Sequence, residues 1–476
     1  MEHTVITSVG IDVGTTTTQV IFARLHLENT AGYFSAPHVA IVEKEIIYRS
    51  QIFFTPLFSQ TQINVAEIKQ LVEDEYLRAG FLPGDVDTGA VIITGESARK
   101  ENAALILQEL SNLAGEFVVS TAGPDLESIL AGKGSGAQQY SEKEEVAVVN
   151  LDIGGGTTNL ACFDCGESIS KGCLDLGGRL IRISPEGMIT FVSPAAEQIA
   201  RSFGFVLKSG DAANLHVLKV ICRRMAELLE EILKIRPQSE LLKQIQTGQS
   251  SEFRTPAHVH AVCFSGGVAD CICPMEGDPF RYGDIGPLLG EAIYNSRIGA
   301  KFQIINASET IRATVIGAGS YSTTVSGSTI TQTEKALPLK NIPVLKLNDK
   351  EQGRCYQGES LWLADKIKWF LEQNDEAIFL LAMKGIRSPS WQQLEILAQT
   401  IAQAMDYSLL PGIPVLVALE YDTAKVLGQS LKRRMKNRDI VCIDGIRGES
   451  GDYIDLGRPL MGGMVVPVVI KTLALG

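Results

Sequence analysis

Residues 149–160 read VNLDIGGGTTNL. An apolar strand runs straight into three glycines and two threonines, with one aspartate, Asp152, at the rim. Glycine carries no Cβ and takes positive φ freely. Successive backbone N–H groups can therefore turn into one concavity, which suits an anion. Thr157 and Thr158 add hydroxyl donors beside Gly154, Gly155 and Gly156. Asp152 ends its strand at the turn, where its carboxylate meets a hydrated cation. Magnesium takes few carboxylates, keeps several waters and shares its site with phosphate oxygens. Taken alone, the stretch also reads as a plain glycine-rich β-hairpin.

The second copy decides between these readings. Residues 9–23, VGIDVGTTTTQVIFA, lie over residues 149–163, VNLDIGGGTTNLACF, at an offset of 140. Asp12 falls on Asp152, Gly14 on Gly154, Thr17 on Thr157 and Thr18 on Thr158, and the flanks alternate apolar and polar in the same phase. The period is far too long for a solenoid. It points to two related domains, each opening with the same strand, tight turn and returning strand. Two such hairpins facing each other hold a triphosphate and its metal from both sides. The candidate phosphate-binding residues are Gly14, Thr15, Thr16 and Thr17 in one copy and Gly154, Gly155, Gly156, Thr157 and Thr158 in the other. Asp12 and Asp152 are the candidate metal-holding and catalytic carboxylates, with ATP and Mg2+ as the implied cofactors. Other phosphate signatures are missing: there is no GxxxxGK[ST] loop, GKGSG at 132–136 has the wrong spacing, and no GxGxxG opens a helix after a strand.

A chain of 476 residues is too long for one ordinary core, and its 45% apolar content is ample for folding. A formal net charge of -12 argues against a general nucleic-acid or anionic-membrane binder. The longest apolar runs, such as MVVPVVI near the C-terminus, have core-strand length, so no membrane span is expected. The N-terminus, MEHTVITSVGIDVG, reads as a strand at once, and no secretion signal is inferred. The nine cysteines include a CxxC at Cys162 and Cys165, but without a second close pair they read as free thiols. His258 and His260 alternate on a strand and read as packing residues.

Between the repeats, residues 26–90 read as an insertion forming an upper subdomain, with a helix-like NVAEIKQLVEDEYLRAG whose Ile68, Leu71, Val72 and Glu75 share a face. Residues 186–260 take that role in the second half, with Leu215, Leu218, Ile221, Met225, Leu228, Leu229 and Ile232 on one stripe. Ser, Thr and Pro dominate residues 320–343, marking a boundary. Helix and buried strand alternate after it, the pattern of a small parallel α/β domain. Arg447, Glu449, Asp452 and Asp455 fall in IRGESGDYIDLG, read as a loop with polar contacts. The expected division is 1–145, 146–325 and 335–476.

The paired hairpins resemble the two phosphate loops of the actin, Hsp70 and sugar-kinase ATPase superfamily. VCFSGGVAD at 262–270 is similar to its adenosine loop, which implies that a purine approaches the backbone at Ser265, Gly266 and Gly267. TAGPDLESILAGKGSGA at 121–137 and ATVIGAGSYS at 313–322 resemble the two helices that connect the halves, and CLDLGGRLI at 173–181 the segment after the second phosphate loop. The implied fold is α/β: duplicated actin-like (ribonuclease H-like) ATPase domains with a cleft, plus a C-terminal α/β domain. Nearly end to end, and above all in GPDLESILAGKGSGA and the tail DYIDLGRPLMGGMVVPVVIKTL, the chain resembles the reactivating factor of ethanolamine ammonia-lyase. The resemblance implies an ATP- and magnesium-dependent factor that releases damaged cobalamin from the lyase so that intact adenosylcobalamin can enter. It implies the lyase as partner, neither nucleic acid nor membrane, and a cytoplasmic setting connected with bacterial microcompartments. One position departs. Hsp70-like members carry a glutamate before the proline of the first connecting helix, whereas Gly123 precedes Pro124, so weak hydrolysis is expected. A metabolite kinase of the same superfamily, with Asp152 as base, and an actin-like scaffold stay as alternatives.

Overall fold

The structure is a computed structural model that describes residues 4–14, 17–30, 39–59, 62–94, 97, 102–111, 113, 118–120, 124–247, 250–321, 323–327, 330–374 and 377–472. The first hairpin is the strand Thr4–Val13 paired antiparallel with Thr17–Asn29. The sheet runs in the order Val39–Arg49, Thr17–Asn29, Thr4–Val13, Thr88–Ile93, Val118–Ser120. Its first three strands alternate in direction, and the last two run parallel to the central one. The second hairpin, Ala147–Ile153 and Thr158–Asp164, sits in a sheet of the same plan. There the order is Glu167–Leu174, Thr158–Asp164, Ala147–Ile153, Val259–Ser265, Gln303–Ile305, again antiparallel then parallel. The repeat of the hairpins is thus a repeat of whole sheets, the expected duplicated α/β arrangement.

Both central strands are buried on both faces because helices cover the sheets, which is why they read as near-continuous apolar runs. In the first half, Val9, Ile11 and Val13 pack with Ile68, Val72 and Tyr76. The last three come from the helix Val65–Ala79, which Asn64 caps at its start and Gly80, at φ 79, ends. In the second half, Val149, Leu151 and Ile153 share a core with Leu218, Ile221, Met225, Leu228, Leu229 and Ile232 of the helix Leu215–Ile232. Leu215, at the exposed start of that stripe, stays outside it. Within the segment expected as an insertion, residues 39–49 form the outer strand of the first sheet.

Two helices join the halves, Pro124–Gly134 and Ala313–Tyr321. They cross at glycines. A Cβ on Gly134 would lie 1.8 Å from the Ala313 carbonyl oxygen, and one on Gly317 2.0 Å from that of Leu130. Backbones can approach this closely only where no Cβ stands between them.

An eight-stranded sheet follows. Its centre, Leu339–Lys346, Leu380–Met383, Val415–Leu419 and Ile440–Ile443, is parallel as the alternating pattern implies. Antiparallel strands flank it, among them Thr323–Val325 and Thr331–Gln332 from the Ser/Thr-rich stretch, and Asp452–Leu456. Residues 452–456, read as loop, are therefore a strand. Asp455 is fully buried on it and accepts the Asn341 N–H at 2.7 Å. This sheet leans on the first half through Val465 against Ile6, Leu25, Leu27 and Val39.

Candidate nucleotide site

The two hairpins make the same turn. The Gly14 N–H donates to the Thr17 carbonyl at 2.9 Å, and the Gly154 N–H donates to the Thr157 carbonyl at 2.9 Å. Asp12 stands directly across its hairpin from Gln19, and Asp152 across from Asn159. The turns open onto one cavity of about 630 Å³, within the range of about 300–1,000 Å³ usual for small-molecule sites. Asp12, Gly14 and Thr17 line one side, Asp152, Gly154, Gly155, Gly156 and Thr157 the other, with Gly266 and Gly267 completing the wall. The structure thus brings most of the candidate residues together.

Others stand behind the wall. The Thr158 hydroxyl donates to the Leu176 carbonyl at 2.7 Å and is fully buried. The Ser265 hydroxyl donates to Asp152 Oδ1 at 2.7 Å and accepts from Asn150 Nδ2 at 3.0 Å, so it orients the carboxylate. Thr15, Thr16 and Gly123 lie outside the described residues. The two glycines of the expected adenosine loop differ. Gly266 has φ +83, and a Cβ there would lie 2.4 Å from the Ile153 carbonyl oxygen. A Cβ on Gly267 meets nothing closer than Ile311 at 3.7 Å, so it faces open space.

The segment after the second hairpin straps its turn. The Gly178 N–H donates to the Gly154 carbonyl at 3.0 Å and the Arg179 N–H to the Gly155 carbonyl at 2.7 Å. In a trans peptide the C=O and the next N–H point in opposite directions. Strapping these two carbonyls therefore turns the N–H groups of Gly155 and Gly156 the other way, an arrangement suited to phosphate oxygens.

Burial pushes the Asp12 carboxyl up to about 7; the Thr94 hydroxyl, at 3.0 Å, works against this and the charge of Asp152 adds to it. Burial likewise pushes Asp152 up to about 6, opposed by hydrogen bonds from Ser265, Asn159 and Thr314. Two carboxyls that resist bare charge are suited to a divalent cation. The oxygen-only donor set fits a hard ion such as magnesium. Among the described residues no group of three or more His, Cys, Asp or Glu could hold a metal. An ion at this pair would therefore keep most of its own water.

The family described as "Ethanolamine utilisation protein EutA" matches residues 4–476. The chain belongs to that family. Two relatives named ethanolamine ammonia-lyase reactivase EutA cover it almost completely. The one from Salmonella typhimurium (strain LT2) is 38% identical over 472 residues, 98% of each chain. The one from Escherichia coli (strain K12) is 38% identical over 470 residues, again 98% of each. Among solved structures, an Aquifex aeolicus Ppx/GppA family member is similar to 66% of the chain over 97% of its own length, with 16% identity and a TM-score of 0.40. The ethanolamine utilization protein EutJ from Carboxydothermus hydrogenoformans covers 66% of the chain over 88% of its own, with 14% identity and a TM-score of 0.33. Among the described residues no helix is long and apolar enough to cross a membrane.

In this family member several cavity residues were not among the site residues expected from sequence. Glu127 lines the cavity from the first turn of Pro124–Gly134 and is largely buried. Its neighbour Asp125 turns away, accepting the Ser251 N–H at 3.0 Å and facing Lys171 at 3.7 Å. A glutamate three residues after Pro124 was a usable signal for the first. Thr94 and Thr314 come from distant strand and helix ends with no signature of their own. Arg179, Arg281, Tyr282 and Asp284 also line the cavity. Burial pushes Asp284 up to about 6, against the Gly286 N–H and the guanidinium groups of Arg179 and Arg182.

Proposed function

We propose that the chain is an ATP- and magnesium-dependent reactivating factor for ethanolamine ammonia-lyase, which drives exchange of damaged cobalamin for intact adenosylcobalamin. The observation that carries this reading is the pair of identically turned hairpins, each with an aspartate at its rim, facing one nucleotide-sized cavity in a member of the EutA family. The relatives' names supply the lyase as partner. The glycine N–H groups and the hydroxyls of Thr17 and Thr157 receive the phosphates. Asp12 and Asp152 would hold the magnesium through water, and the ion when bound would supply charge neutralisation for the triphosphate. The purine lies against Gly267, toward Arg281 and Tyr282. A nucleotide gripped by both halves favours their closed arrangement only by its better fit to it. That closure is the force applied to the lyase.

Hydrolysis need not be as feeble as Gly123 implied. Phosphoryl transfer to water is mostly positioning and charge neutralisation, and Glu127 puts a carboxylate on the cavity wall for the positioning. The three units 1–145, 146–325 and 335–476 then act as two grips and one further body, in the cytoplasm and in the company of a bacterial microcompartment. Co-purification tests the partnership: the lyase should be retained on the tagged chain in a manner that changes between magnesium ATP and no nucleotide. Retention that ignores nucleotide, or no retention at all, overturns the reading.

A further inference from the structure

We infer that Gln19 is a cation-positioning residue: its carboxamide oxygen accepts a hydrogen bond from water on the divalent cation that accompanies the nucleotide. This rests on reading the cleft as a nucleotide site. Gln19 is on the cavity wall, yet only 3% exposed. Its Nε2 donates to the Ile311 carbonyl at 3.2 Å, which fixes the amide the only way that satisfies that carbonyl. The other end, Oε1, is buried and has no hydrogen-bond partner. Leaving a buried acceptor without a donor is costly, so the atom calls for a donor.

The chemistry of the site narrows what that donor is. Phosphate oxygens are acceptors and leave Oε1 as orphaned as before. Metal-bound water is a donor, and a strong one. Gln19 stands directly opposite Asp12 in the hairpin register. Cross-strand partners share a sheet face, so the two side chains stand side by side on it. The repeat supports the pairing. At the same offset of 140, Asn159 stands opposite Asp152, and its Oδ1 is also buried without a partner. Each hairpin therefore contributes an aspartate and an amide oxygen. Asn159 hydrogen-bonds Asp152 but is not on the cavity wall. Its part is to hold the carboxylate, while that of Gln19 is to meet the hydrated ion.

Calorimetric titration of the full chain with ATP, in magnesium and in EDTA, tests the inference through Gln19→Met and Gln19→Glu. Outer-shell partners of a bound ion are worth about 10–100-fold in metal affinity. Gln19→Met, of similar length but without the oxygen, should weaken ATP binding in magnesium by about that factor and leave the EDTA titration unchanged. Gln19→Glu, which keeps an oxygen and adds charge, should preserve or sharpen the magnesium dependence. Equal loss with and without magnesium in Gln19→Met would mean a packing role and overturn the inference, as would no loss in either. If Gln19→Met does not fold, Gln19→Glu decides alone: Mn2+ binding to the nucleotide complex, read by electron paramagnetic resonance, must tighten, and an unchanged affinity overturns the inference. Wild-type protein that binds ATP equally in magnesium and EDTA overturns the inference alone, whereas wild-type protein that binds no ATP in either overturns the underlying nucleotide reading, which marks that failure apart.

Discussion

Two carboxyls taken out of water and set around one cavity prefer a proton or a cation to bare charge. Asp12 keeps its proton up to about 7 and Asp152 up to about 6, against an ordinary value of 3.8 for each. The folded chain therefore holds more protons than the unfolded one between about pH 4 and pH 7. Their contribution to stability is fully present below about pH 4 and is lost as the pH rises through 6 and 7. Without divalent cation, the thermal midpoint should fall between about pH 4 and pH 7. Asp12→Asn should flatten that fall and raise the midpoint at the alkaline end by a few degrees, the equivalent of about 1 kcal/mol. Calorimetry across pH checks this, and a cation-free midpoint that climbs with pH contradicts it. The two glycines of the expected purine loop also part company. Gly266→Val should destabilise the fold by roughly 2 kcal/mol or more, from positive φ and collision with Ile153. Gly267→Val should fold normally and lose ATP affinity. Sequence presents the two as equals, because what distinguishes them is a carbonyl more than a hundred positions away.

The hairpins were legible because everything that makes them is local: alternation, turn glycines and an aspartate at fixed spacing. The helix Leu215–Ile232 was legible for the same reason, with its stripe intact and Asn214 as cap. Elements whose identity depends on remote partners were not. Residues 39–49 look like an insertion until the returning strand of the first hairpin pairs with them. Residues 452–456 look like loop because glycines and aspartates surround them, and become strand because Leu339–Lys346 and Pro467–Thr472 lie on either side. The connecting helices were legible as helices, but their glycine crossing was not. Ala at Gly134 or Gly317 places a methyl against backbone, which rigid neighbours accommodate only by separating the helices. Each substitution should cost about 1–3 kcal/mol, read as a lowered urea midpoint with an unchanged slope. Midpoints equal to that of the wild type would mean that the helices do not meet at these glycines.

At the scale of the molecule, the third sheet is no loosely tethered bead. The chain enters it at Thr323–Val325, directly after the second connecting helix, and that strand pairs with Pro467–Thr472. Val465 and Val469, both fully buried, carry it onto the first half, against Ile6 and Leu25 and against Ala90 and Ile92. A boundary drawn from Ser/Thr/Pro composition missed this because composition reports local flexibility and says nothing of pairing. Val465→Asp buries an unpaired charge and should destabilise by on the order of 3 kcal/mol, with calorimetry showing the third sheet and the first half losing their common transition. Movement of the first half would thus carry the C-terminal sheet with it, as the proposed closure on a partner requires. The decisive measurement is reactivation itself. Ethanolamine ammonia-lyase is loaded with inactive cyanocobalamin, then given this chain, adenosylcobalamin and magnesium ATP, and ammonia release is followed. Activity should return only with all three present, and Asp12→Asn or Asp152→Asn chains that still fold should restore none of it; equal recovery without nucleotide, or with either variant, would contradict a nucleotide-driven exchange.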